Sequence, residues 1–170
     1  MSIAIAAPGV TIAEAPAARR LLVRGRADDH LFVDEMRWAF GLGPPALPCT
    51  ATTRGGTRCL WLEPTTWLVE SDDRAADIAL GRIAAIEVTD ARLVLAISGP
   101  RARELLSVGT GVDLHPHHFP VGRVVRTLFG RVSATLFLAD PEPVFHLHVD
   151  RPLERWLEEW LKEAVRGLEL

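Results

Sequence analysis

Leu93-Val94-Leu95-Ala96-Ile97 constrains this 170-residue sequence more than any other stretch. It is a short, nearly continuous apolar run with β-branched members, bounded by Arg92 and Ser98. Such a run reads as a strand buried on both faces, or nearly so. Ser98-Gly99-Pro100 then reads as a helix start. Ser98 or Gly99 would be the N-cap, and Pro100 would sit near the first helical position, where its missing N–H costs nothing. Ala102, Leu105 and Leu106 fall on one face of the predicted short helix, which stops around Gly109 to Gly111. Beyond Gly111, Pro116 and Pro120 exclude regular helix or central strand, so that segment is a Pro-stiffened connection.

The rest of the chain is organised around similar short units. Arg20 to Arg24 reads as a first strand. Asp28 or Asp29 can cap a helix that buries Phe32, Met36, Ala39 and Phe40, and Gly41-Leu42-Gly43-Pro44-Pro45 ends it. A hairpin turning at Gly55-Gly56 sets Thr50 to Thr53 against Arg58 to Trp61, and Trp67 to Val69 forms the next strand. Ser71 is read as the cap of a short helix over Ala75, Ile78 and Ile83. Strands Arg123 to Phe129 and Val132 to Ala139 turn at Gly130-Arg131, and Val144 to Val149 is the last strand. Asp150-Arg151-Pro152 starts a closing helix with Leu153, Trp156, Leu157, Trp160, Leu161 and Ala164 on one stripe. Helices alternate irregularly with hairpin-linked strands. That pattern argues for an α+β fold with a mostly antiparallel sheet and helices packed on it, not a doubly wound parallel sheet.

Composition bounds the function classes. A chain of this length forms one domain, or two small lobes sharing a core. The net charge is −3, with no basic run, and Lys162 is the sole lysine. Nucleic-acid binding therefore finds no clustered positive charge to rest on. No apolar run approaches the roughly 20 residues that span a bilayer, and Met1 to Pro8 lacks the basic leader of a signal peptide. A two-residue turn at Gly55-Gly56 pairs Thr52 with Cys59, which leaves Cys49 about three residues out of register. A disulfide is not expected, and the cytoplasm is the default compartment.

Several motifs together carry a family resemblance. They are Val88-Thr89-Asp90-Ala91-Arg92, Ser98-Gly99-Pro100-Arg101-Ala102-Arg103, Asp113-Leu114-His115-Pro116 with Phe119-Pro120, Leu60-Trp61-Leu62-Glu63-Pro64-Thr65-Thr66-Trp67-Leu68, and the closing helix around Trp156 and Trp160. In this order, over roughly Val10 to Ala164, they resemble the gamma subunit of heterotetrameric sarcosine oxidase, a relative of the folate-binding aminomethyltransferases. Glu63 departs from the family's usual Gly before the Pro. The resemblance implies a folate-binding-domain-like fold of the aminomethyltransferase N-terminal type, with ferredoxin-like βαββαβ elements. The expected division is a flexible N-terminus over residues 1–9, a single gamma-like domain over 10–166 and a C-terminal tail over 167–170.

The resemblance also implies a role. The chain would be a non-catalytic subunit of a complex that oxidatively demethylates sarcosine or a related N-methyl amine, passing the one-carbon unit to tetrahydrofolate. Its partners would be the alpha, beta and delta subunits, alpha most directly. FAD, FMN, NAD, tetrahydrofolate and zinc would be carried by those other subunits, and none by this chain. The alternative is an autonomous folate-binding one-carbon-transfer domain with Asp90 and Arg92 at its site, since a carboxylate can orient an amine nitrogen. A third reading is a fold relative recruited as a structural adaptor.

The residues themselves offer little catalysis. Ser98-Gly99-Pro100 is not a nucleophile elbow, and Gly41-x-Gly43 and Gly109-x-Gly111 lack the third glycine of a dinucleotide fingerprint. His146 and His148 project to one face of a strand, and His115, His117 and His118 share a loop. Neither set has the three or four convergent ligands, with supporting hydrogen-bond partners behind them, that a zinc site needs, so no metal site is expected. Trp38, Trp61, Trp67, His115 and Phe119 are instead the interface candidates, because exposed aromatic rings beside Arg are typical anchors. Trp38 stands out, lying on the polar side of its helix near Asp34 and Arg37.

Overall fold

The computed structural model describes residues 3–72, 81–140 and 142–168. They form two compact units: one combines Met1–Ala15 with Asp90–Leu170, the other is Pro16–Thr89. The second unit is thus inserted into the first along the chain.

The first unit holds an antiparallel sheet of six strands: β1 (Ala4–Ala7), β2 (Val10–Glu14), β8 (Arg92–Ser98), β9 (Val124–Phe129), β10 (Val132–Asp140) and β11 (Val144–Asp150), in the spatial order β1-β2-β8-β11-β10-β9. Strand periodicity sorts its side chains. Ile12 pairs with Ile97, Ile97 with Phe145 and Phe145 with Leu138, so one apolar row crosses four strands. That row lies in the same core as Ala102, Leu105 and Leu106 of α2 (Ala102–Gly109) and Leu157, Leu161 and Val165 of α3 (Glu154–Leu168). Each such fully buried Leu, Ile or Phe stabilises by about 1.5–3 kcal/mol over its exposed state. The opposite face carries Val94, Thr135, Phe137, His146 and His148, which are also buried. The sequence's doubly buried reading of Leu93 to Ile97 therefore holds, with Ala96 alone half-buried.

The second unit is a five-stranded antiparallel sheet in the order β4-β5-β6-β3-β7. Its strands are β3 (Arg19–Arg24), β4 (Ala51–Arg54), β5 (Thr57–Glu63), β6 (Thr66–Ser71) and β7 (Ala84–Glu87). Leu21, Val23, Cys59, Trp67 and Val69 share a core with Phe32, Met36 and Phe40 of α1 (His30–Phe40). Asp29 caps α1 by accepting from the Leu31 N–H at 3.0 Å, and Gly41 ends it in the left-handed region at φ 73°. The Gly55-Gly56 turn pairs Thr52 with Cys59, the register the sequence predicts, and both cysteines are free thiols.

The structure departs from several expectations. The helix after β8 does not start at Ser98 or Gly99, because Ser98 remains in the ladder, paired with Thr11 and Val144. Gly99 turns at φ 104° and α2 begins at Ala102 behind Arg101, with no side-chain cap. Ser71, read as a helix cap, is the end of β6, paired with Arg19 and Thr57. The helix expected over Ala75 and Ile78 lies outside the described residues, and Ile83 leads into β7. Residues 1–9, expected to be a flexible lead, contain β1 and a buried Ile3. The tail expected over 167–170 begins inside α3, and residues 169–170 lie outside the described residues.

Candidate functional site

Among the described residues, three places gather the side chains that the sequence singles out. The first is the outer face of α1. Leu31 and Trp38, seven residues apart and so on one face of the helix, are 75% and 68% exposed. Asp34 and Arg37 form an ion pair at 3.2 Å beside them. The polar flank that suggested Trp38 from the sequence does leave its ring in solvent. Trp67 and Trp61 differ. They pair across β5 and β6 on the face that meets α1, so Trp67 is buried and Trp61 half-buried. The Trp67 Nε1–H donates to the Gly25 carbonyl at 3.2 Å. Trp67 is thus core, not surface.

The second place is the depression lined by Asp90, Ala91, Asp150, Arg151 and Pro152, of about 560 Å³ and wide open. Arg92 does not line it: its Nη1 sits 3.1 Å from Asp150 Oδ1. Arg151 reaches Glu14 at 2.9 Å and donates to the Arg92 carbonyl at 3.1 Å, and its backbone N–H bonds the Ala91 carbonyl. The Arg92, Asp150, Arg151 and Glu14 charges are matched among themselves. They tie β2, β8 and the start of the closing helix together. The open shape differs from the enclosing cleft that a ring ligand prefers.

The third place is the loop between α2 and β9. Asp113 accepts the His115 backbone N–H at 2.9 Å, and its other oxygen meets His118 Nδ1. These contacts, the backbone bond first, hold the Asp113 carboxyl below its ordinary range. His115 stacks on His117 with ring centres 5.2 Å apart, and lies 5.9 Å from His118. All three rings are exposed. Phe119 is not: it is buried 5.9 Å from Phe145, so of the two interface candidates here only His115 lies at the surface. Arg103 of α2 donates to the Leu114 carbonyl and lies 5.0 Å over the Phe145 ring. Sequence reasoning missed both Arg103 and the organising role of Asp113. An Asp two residues before a His-Pro step is a readable Asx-turn signal.

His146 and His148 occupy one face of β11, as their spacing predicts, with ring centres 6.2 Å apart and His146 edge-on to Phe137. No helix among the described residues is long and apolar enough to cross a membrane.

The model of the sarcosine oxidase, gamma subunit family matches residues 24–166. The sarcosine oxidase subunit gamma of Corynebacterium sp. (strain U-96) is 31% identical over 107 residues, covering 58% of this chain and 52% of that one. The chain thus matches about half the length of this curated relative. Heterotetrameric sarcosine oxidase from Corynebacterium sp. U-96, solved with pyrrole 2-carboxylate, superposes with a TM-score of 0.87 at 24% identity, over 99% of this chain and 90% of that one. The glycine cleavage system aminomethyltransferase T of Bartonella henselae superposes at 0.67 and 14% identity, over 90% of this chain and 45% of that one. The two structures establish the fold as the folate-binding-like α+β type. With the family match running over most of its length, the chain belongs to the sarcosine oxidase gamma subunit family.

Proposed function

We propose that this chain is the non-catalytic gamma subunit of a heterotetrameric, cytoplasmic sarcosine oxidase-type complex. The observation that carries the reading is the family match over residues 24–166. In the proposed complex a flavin on the beta subunit oxidises an N-methyl amine. The one-carbon unit passes to tetrahydrofolate on alpha, which also holds NAD, and zinc sits on delta. This chain adds no reacting group. Its task is to dock on alpha and cover apolar surface, and the Leu31–Trp38 face of α1 is the proposed contact: an exposed Trp flanked by an ion pair has the make-up of an interface anchor. The open depression beside Asp90 and the pairing of Arg92 with Asp150 support a structural role there over a folate site.

Co-expression with the alpha, beta and delta subunits tests this. The isolated chain should be colourless and inactive, and should co-purify with alpha or the alpha–beta complex. Trp38→Ala should weaken that association by about 2 kcal/mol, roughly 30-fold, as loss of a central aromatic anchor does. The variant's own unfolding midpoint should not change. Flavin absorbance in the purified single chain would sink the reading. So would tight tetrahydrofolate binding that is lost in Asp90→Ala.

A further inference from the structure

The six-stranded sheet of the first unit ends in two strands with different protection. β9 is guarded. The Gly130 N–H just beyond it bonds the Gly109 carbonyl at 2.7 Å, the Thr110 and Thr127 hydroxyls meet at 3.2 Å, and Arg126 stands exposed along it. β1, at the other end, has no such device. Residues 3–7 carry no charge and no proline, and the β1–β2 ladder runs without a bulge. We propose that the open edge of β1 is taken by β1 of a second copy of this chain, antiparallel about a two-fold axis at Ile5, which joins the two sheets into one. This contact uses the first unit alone and is separate from the Leu31–Trp38 face.

Backbone direction sets the register. The Ile3 carbonyl accepts the Glu14 N–H at 3.1 Å, so Ile3–Glu14, Ile5–Ile12 and Ala7–Val10 are the hydrogen-bonded pairs of the hairpin. Ala4 and Ala6 therefore turn their N–H and C=O groups away from β2, and among the described residues no strand lies beyond them. Setting Ala4 against Ala6 of the second copy, and Ala6 against Ala4, lets these groups exchange bonds. Ile5 then meets its own copy at the non-hydrogen-bonded position, where side chains come closest.

Side-chain size fits the same register. Ile5 and Ala7 pack half-buried against the core of sheet and helices, and Ile3 is 1% exposed within it. The two-fold sets Ile3 against Ala7, Ile5 against Ile5 and Ala7 against Ile3, the self-complementarity that an isologous contact requires. The row Ile5–Ile12–Ile97–Phe145–Leu138 continues into its copy, and its open end at Ile5 is covered. On the outer face Ala4 and Ala6 present only exposed methyl groups, so no like charges meet. The Ala4-Ile5-Ala6 sequence reads the same in both directions, so β1 is itself the uncharged strand that this edge accepts. So short an edge buries far less than the about 1,200 Å² of a stable complex, and the contact is weak and reversible.

Sedimentation velocity of the untagged full chain tests this pairing. The chain should be monomeric at about 1 µM and move toward twice its mass by about 500 µM, the range of small transient interfaces. Ala6→Pro removes an outward-pointing N–H and leaves the β1–β2 bonds in place. It should weaken dimerisation at least tenfold, with little change in the monomer's unfolding midpoint. Crosslinking reads the register without breaking the dimer. In a Cys49→Ser background, Ile5→Cys should form an interchain disulfide on mild oxidation, since the central pair would lie about 4.5 Å apart at Cα. Ala6→Cys, which faces Ala4 of the other copy, should not. A chain that stays monomeric at every concentration would overturn the proposal. So would undiminished dimerisation of Ala6→Pro, or an Ala6→Cys variant that crosslinks as readily as Ile5→Cys.

Discussion

A Cβ added to Gly99 would lie 2.4 Å from the Gly9 carbonyl oxygen, and Gly99 turns at φ 104°, where side-chain-bearing residues rarely go. The glycine is needed because the chain leaves β8 against the β1–β2 turn: the Arg101 N–H bonds the Gly9 carbonyl at 3.0 Å. Gly99→Ala should therefore destabilise by roughly 2–3 kcal/mol, combining backbone strain with a clash against backbone that cannot swing away. Gly111, with open space around its Cβ position and no positive φ, is the control and should lose less than about 1 kcal/mol. Denaturant unfolding of both variants measures the difference, and equal losses would refute the steric account. The sequence showed Gly99 as a punctuation mark but not what it approaches, because Gly9 lies ninety residues away.

Arg20 and Glu70 make the same point with charge. Both are buried, and Nε lies 2.7 Å from Oε1, with Arg58 Nε 3.8 Å from the other oxygen. Within an apolar strand such as Arg20-Leu21-Leu22-Val23, an inward Arg is legible only once its partner strand is known. Glu70→Ala takes the carboxylate from a buried guanidinium and should cost about 3–5 kcal/mol. The double variant Arg20→Leu/Glu70→Leu should lose much less than the single one, because the buried guanidinium goes with its partner and Arg58 keeps Asp72 at 2.9 Å. A double variant as unstable as Glu70→Ala would show that the ion pair itself, not the stranded charge, supplies the stability.

At the scale of elements, legibility followed the range of the interactions. The β4–β5 register was readable because a Gly-Gly turn fixes it locally. That register also separates the two cysteines chemically. Cys59 faces the core behind α1, where burial pushes its thiol pKa up, and Cys49 is partly exposed. One thiol should therefore react quickly with a disulfide reagent in the native chain, and the second only as fast as the protein opens. Two fast equivalents would contradict the buried placement. By contrast β7 passed unread, since Ala84-Ala85-Ile86-Glu87 has too few β-branched residues to signal a strand by itself. It exists because β3 offers an edge, with Leu22 opposite Ile86. The α2–β9 loop lies between these cases. Its prolines and histidines were visible, but not that Asp113 bonds His118 and the His115 backbone and so organises the loop.

For the whole molecule, the decisive contacts are the least local ones. Helix-plus-hairpin patterning was enough to assign the α+β class, but not to show that β1 and β2 belong to the same sheet as β8 to β11. β2 pairs with β8 through Ile12–Ile97 and Ala13–Ala96, closing the first unit across the whole inserted segment Pro16–Thr89. β1 then pairs with β2, and the Ile3 carbonyl accepts the Glu14 N–H at 3.1 Å. Ala-rich residues such as Ala4, Ala6 and Ala7 carry little strand propensity, which is why this segment read as a loose lead. Its stability comes from the neighbour it pairs with and from Ile3, which is 1% exposed within the core of the sheet and helices. Ile3→Ala should cost about 2–4 kcal/mol, the range for emptying a buried branched side chain. For a two-state unit of this size such a loss lowers the thermal midpoint by several degrees. Thermal unfolding with and without denaturant would measure it. An unchanged midpoint would mean that the Ile3 side chain contributes nothing to the fold.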